Sequence, residues 1–101
     1  MIIEVFYVPG CPNHQPAIKA VTSALALESL QSEICEIPVQ THDEVRACRF
    51  PGSPTIRVNG SDVEPESTSD YGLTCRLYAN GLGIPSELAI RRAISAARQR
   101  E

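Results

Sequence analysis

The chain has 101 residues, 43% of them hydrophobic and 21% charged, with four cysteines and no tryptophan. That is the composition of one globular domain with a single modest core, and it excludes a disordered chain. The net charge of −3 argues against a general nucleic-acid binder, which needs surplus Lys and Arg to meet phosphates.

The start of the chain has neither the basic opening nor the long apolar stretch of a secretory signal, and no segment approaches the ~20 apolar residues of a membrane span. The expectation is a soluble cytoplasmic protein without nucleic-acid or membrane partners.

Ile2 to Val8 is rich in β-branched and aromatic residues and stops at Pro9-Gly10, which predicts a strand. Its nearly continuous apolarity predicts a central position, covered on both faces. Residues 13 to 30 carry Ile18, Val21 and Leu25 at helical spacing, with alanines filling in. Asn13 suits the N-cap, with Pro16 in the first turn; Cys11 or Pro12 are alternative starts.

Glu33 to Val39 predicts a second strand, with Cys35, Ile37 and Val39 alternating onto one face, toward the core. A short helix follows over about Asp43 to Arg49, with Val45 and Cys48 on its apolar side. Thr55 to Val58 reads as a third strand. Asn59-Gly60 is a two-residue hairpin turn, returning an antiparallel strand over Ser61 to Glu64. Residues 65 to 74 read as polar loop and Cys75 to Tyr78 as a short ordered turn. Ser86 to Arg98 reads as the last helix, anchored by Leu88, Ile90 and Ile94 with Ser86 as cap. Arg91, Arg92, Arg98 and Arg100 are expected on its solvated surface, at the end its dipole favours for cations. Asp43-Glu44 and Asp62-Glu64-Glu66 read as solvated acidic surface, and His42 as a surface residue at a helix start.

The order strand–helix–strand followed by helix, two hairpin strands and helix predicts an α/β fold. It joins a βαβ unit with a right-handed crossover to a ββα unit, in a four-stranded mixed sheet flanked by helices.

In a cytoplasmic chain thiols stay reduced, so the cysteines are catalytic, ligating or simply buried. The spacing of Cys11, Cys35, Cys48 and Cys75 fits no paired zinc pattern, and the reading assigns no cofactor. Cys11 stands out. It lies in VPGCPNHQP, between a strand and a helix, where unpaired N–H groups and the helix dipole stabilise a thiolate. Gly10 allows the sharp turn and Pro12 sets the exit into the helix. His14, in or near the first turn, is placed to hold that thiolate or to protonate a leaving group, or is a plain surface histidine. Cys75, beside Arg76 and after the polar loop, is the candidate second thiol, or else an apolar plug with Leu73 and Leu77. Cys35 and Cys48 read as core residues.

The strand, cysteine turn and helix, with Cys11-Pro12-Asn13-His14 after the first strand and Ser53-Pro54-Thr55 before the third, resemble the thioredoxin-like superfamily. The likeness is to its short single-domain bacterial members. It implies a thioredoxin-like fold with a cis bond at Pro54 facing Cys11, and a Ser53 C=O or Thr55 N–H open to pair with an extended substrate. His14 stands where that family has its second motif cysteine, so dithiol exchange within the motif is ruled out and a second thiol must come from elsewhere.

Two functional readings follow. In the first, Cys11 attacks a disulfide, sulfenic acid or other soft electrophile of a protein or small molecule, and Cys75 or an external thiol such as glutathione resolves the adduct. In the second, the protein is a non-enzymatic module that binds a soft metal (Hg²⁺ or Cu⁺) or a partner peptide through Cys11 and His14.

Overall fold

The computed structural model of the chain describes residues 1–65 and 71–100. Of the acidic set read from the sequence, Glu66 lies outside the described residues, as do residues 66–70 of the polar loop. Among the described residues the elements are β1 (Ile3–Tyr7), α1 (His14–Leu27), β2 (Ile34–Pro38), α2 (His42–Cys48), β3 (Thr55–Val58), β4 (Ser61–Asp62) and α3 (Glu87–Gln99). The chain is therefore α/β, a βαβ unit followed by a ββα unit, with a four-stranded sheet in the order β2-β1-β3-β4. β1 pairs parallel with β2 and antiparallel with β3, and β3 pairs antiparallel with β4.

The apolar N-terminal run forms the second strand of that order because both its faces are covered. Ile3 and Val5 point to one side, where they meet Ile56 and Val58 of β3, Val21 and Leu25 of α1, and Ile90 and Ile94 of α3. Phe6 points to the other side, into a smaller cluster with Val39, Val45 and Phe50. Each fully buried aliphatic side chain contributes about 1.5–3 kcal/mol, so the α1/α3 face carries most of the hydrophobic stabilisation. The hairpin turn forms as its sequence dictates. Asn59 and Gly60 both take positive φ, the signature of the turn type that matches strand twist. Asn59 also grips the start of β1, accepting from the Ile2 N–H at 2.7 Å and donating its own N–H to Ile2 C=O.

Side chains cap two helices, at the expected Ser86 and at Thr41, which the sequence did not single out. Thr41 Oγ1 accepts from the Glu44 N–H, and Ser86 Oγ accepts from the Ala89 N–H at 3.1 Å. Glu44 returns the favour to Thr41 Oγ1 and the Gln40 N–H, while Asp43 pairs with Arg46. Asn13 occupies the N-cap position of α1 but makes no capping bond. Its side chain lies against Gly83 instead, so closely that a Cβ there would fall 2.2 Å from Asn13 Nδ2.

Several expectations are corrected. Cys35 is exposed, not core-facing: β2 is an edge strand, and the short α2 and its cluster cover only part of that sheet face. Leu88 is exposed because α3 turns Ile90, Ile94 and Ala97 inward. Arg91 is not merely solvated. Its Nε and Nη2 both donate to Glu28 Oε2, and Arg98 Nη1 donates to Glu28 C=O, tying α3 to the end of α1. No helix among the described residues is long and apolar enough to cross a membrane.

Candidate functional site

The turn after β1 is built from backbone hydrogen bonds. The Cys11 N–H donates to Val8 C=O at 3.0 Å, and the His14 N–H donates to Cys11 C=O at 3.2 Å. Gly10 sits at φ +88°, a conformation that a side chain would disfavour. Cys11 is thus delivered to the end of the sheet immediately before α1, half-buried.

His14 begins α1, but its ring turns toward the sheet. It stacks on Tyr7 with centroids 3.6 Å apart and planes 7° from parallel. Its Nε2 lies 2.6 Å from Glu36 Oε1; the carboxylate only accepts, so Nε2 carries the hydrogen. Among the described residues no hydrogen bond joins the His14 ring to the Cys11 sulfur. The geometry therefore makes His14 a clamp between α1, β1 and β2. Glu36 and Tyr7 were not singled out from the sequence. Glu36 reaches His14 because parallel pairing registers it with Val5, on the α1 side of the sheet. That register is a property of strand pairing, not of local composition.

Pro54 lies just before β3, its peptide bond to Ser53 is cis, and both residues are buried. Ser53 connects two parts of the site. Its Oγ accepts from the Val8 N–H at 3.0 Å, one residue-to-residue step from the Cys11 backbone. Its own N–H donates to Thr74 C=O at 2.7 Å, and its C=O accepts from the Arg76 N–H at 3.0 Å. This is a one-residue parallel bridge between Ser53 and Cys75. The expected opening of the Ser53 C=O to an extended substrate is thereby corrected: the chain itself fills that position.

Cys75 is exposed, while Arg76, next to it, is 3% exposed and points inward. Arg76 Nη1 and Nη2 meet Asp62 Oδ2 and Oδ1 at 2.7 and 3.0 Å. Nη2 also donates to Glu64 C=O and Nη1 to Thr55 Oγ1, and the guanidinium lies over the Tyr78 ring at 4.3 Å. Asp62 and Glu64 are consequently not free acidic surface. Asp62 neutralises a buried cation, and the Glu64 carboxylate accepts from the Ala79 N–H. Arg76 is committed to this network, not to activating Cys75.

Cys48 packs against the Phe6–Phe50 cluster. Burial pushes its thiol above the ordinary 9.0, with Arg57 pulling the other way. It is the least suited of the described cysteines to act as a thiolate. All four cysteines are free thiols. No three His, Cys, Asp or Glu side chains among the described residues are grouped to hold a metal ion.

Compared with known proteins, the chain matches no family model, no curated protein and no solved structure.

Proposed function

We propose that this is a thiol-dependent redox protein in which Cys11 is the nucleophile and Cys75 the resolving thiol. One observation carries the reading: Ser53 is bonded on one side to the turn that presents Cys11 and bridged on the other to Cys75. Cys11 lies, partly exposed, in the turn that leads into the 14-residue α1. The likeness of the Cys11 turn and the Ser53-Pro54-Thr55 segment to thioredoxin-like proteins supports the same chemistry. A cytoplasmic setting, where thiols stay reduced, goes with it.

The reaction balances as thiol–disulfide exchange. The Cys11 thiolate attacks one sulfur of a substrate disulfide, forming a mixed disulfide and releasing one substrate thiolate, which takes up a proton from water. The Cys75 thiolate then attacks the Cys11 sulfur and expels the second substrate thiolate. The substrate has gained two electrons and two protons, and the protein holds a Cys11–Cys75 disulfide. An external thiol such as glutathione, used twice, returns it to the dithiol. His14, held by Glu36 and Tyr7, fixes the first turn of α1 behind the nucleophile.

The test is trapping. Reduced Cys75→Ser protein treated with oxidised glutathione should accumulate the adduct on Cys11, read by peptide mass spectrometry. Adducts on Cys35 ahead of Cys11 would overturn the proposal.

A further inference from the structure

Residues 72–78 run alongside residues 50–55 and contact them at nearly every step. The Gly72 N–H donates to Phe50 C=O, and Ser53 uses both its backbone N–H and its C=O on Thr74 and Arg76. Tyr78 donates its hydroxyl hydrogen to Pro54 C=O, and Arg76 reaches Thr55 Oγ1. Gly52 admits this approach because it lacks a side chain: a Cβ there would lie 2.9 Å from Arg76 Cβ and 3.1 Å from its Cα. The buried Arg76–Asp62 pair fastens the segment to the β3–β4 hairpin. Removing either partner would strand a buried charge, so the segment is held against Ser53 by more than its two backbone bonds.

We infer that residues 72–78 are a built-in strap that occupies the strand-pairing position at Ser53, so that Cys11 serves compact low-molecular-weight disulfides and not extended polypeptide segments. An extended chain binds a strand edge by exchanging main-chain hydrogen bonds with it. At Ser53 both groups are already taken, and an incoming peptide must first displace them. A small disulfide needs only access to the sulfur, and Cys11 is partly exposed. The strap also carries Cys75, so one segment supplies the resolving thiol and excludes the larger substrate. This inference rests on the redox reading of Cys11 and specifies its substrate class.

The experiment compares two probes on the reduced full-length Cys75→Ser chain, in which the Cys11 adduct is not resolved: oxidised glutathione, and an extended unstructured peptide joined through its cysteine to glutathione. The rate of adduct formation at Cys11 is read by mass spectrometry. The peptide disulfide should react at least about tenfold more slowly, since two backbone hydrogen bonds must be given up. Asp62→Asn, which weakens the strap's anchor, should speed the peptide reaction and leave that of oxidised glutathione unchanged. Hydrogen exchange on the unmodified chain gives an independent reading: the Ser53 and Arg76 amides should be protected. Equal rates for both probes on a chain with those amides protected would overturn the inference and leave the redox reading standing. Unprotected Ser53 and Arg76 amides in an otherwise protected sheet would also overturn it. No adduct at Cys11 with either probe would overturn the redox reading, and the inference with it.

Discussion

Arg76 and Asp62 form a two-point ion pair between the strap and β4, with oxygen–nitrogen distances of 2.7 and 3.0 Å. The Arg76 side chain is 1% exposed and that of Asp62 16%. Asp62→Ala leaves a guanidinium buried with one carboxylate fewer. The expected loss is about 3–5 kcal/mol of folding stability, measured from the denaturant midpoint. Replacing the surface pair Asp43–Arg46, exposed at both partners, should move the midpoint hardly at all.

Gly52→Ala tests the close approach that lets the strap dock. The new methyl group meets Arg76 Cβ and backbone at φ +137°, a combination of crowding and strain expected to cost about 1–3 kcal/mol. The loss should be local. In hydrogen exchange the Arg76 amide loses protection while the α1 and α3 amides keep theirs.

His14→Ala separates a clamp from a thiolate partner. The variant loses the Tyr7 stack and the Glu36 bond, so thermal stability should fall by about 1–2 kcal/mol. Cys11 alkylation by iodoacetamide should change by less than about threefold, because the ring is bonded to Glu36 and not to the sulfur. A tenfold or larger drop, with a stability change too small to explain it, would return His14 to direct contact with the thiolate.

Cys48 should be the slowest described cysteine to alkylate. Its thiol is raised above 9.0 chiefly by burial. The folded state thus holds this proton more tightly than the unfolded chain does. The resulting contribution to stability is fully present below pH 9 and is lost as pH rises toward the folded value. Cys48→Ala should flatten that alkaline decline in a pH series of denaturant midpoints.

Much of the architecture was legible because local signals agreed with tertiary demands. The apolar Ile2–Val8 run, the Asn59-Gly60 turn and the Ser86 cap each specify their element through short-range chemistry. The misreadings share a different cause. Cys35 alternates with Ile37 and Val39 as a core residue would, yet edge position and the shortness of α2 leave it exposed. Asp62 and Glu64 look like solvent-facing charge until residues more than ten positions away fold in, Arg76 pairing with the Asp62 carboxylate and the Ala79 N–H with that of Glu64. The His14–Glu36 contact depends on parallel register, and the Ser53–Cys75 bridge on the path of a loop. No spacing in the chain encodes either. The placement of Cys11 between β1 and α1 was legible because strand end, glycine, proline and helix start all lie within a few residues of it.

The most direct test of the account is disulfide mapping of the wild-type reduced protein after limiting oxidised glutathione. The account predicts a Cys11–Cys75 disulfide as the end product, with two glutathione thiols released per bond formed. A product in which Cys11 remains a free thiol while Cys35 or Cys75 is glutathionylated would contradict it.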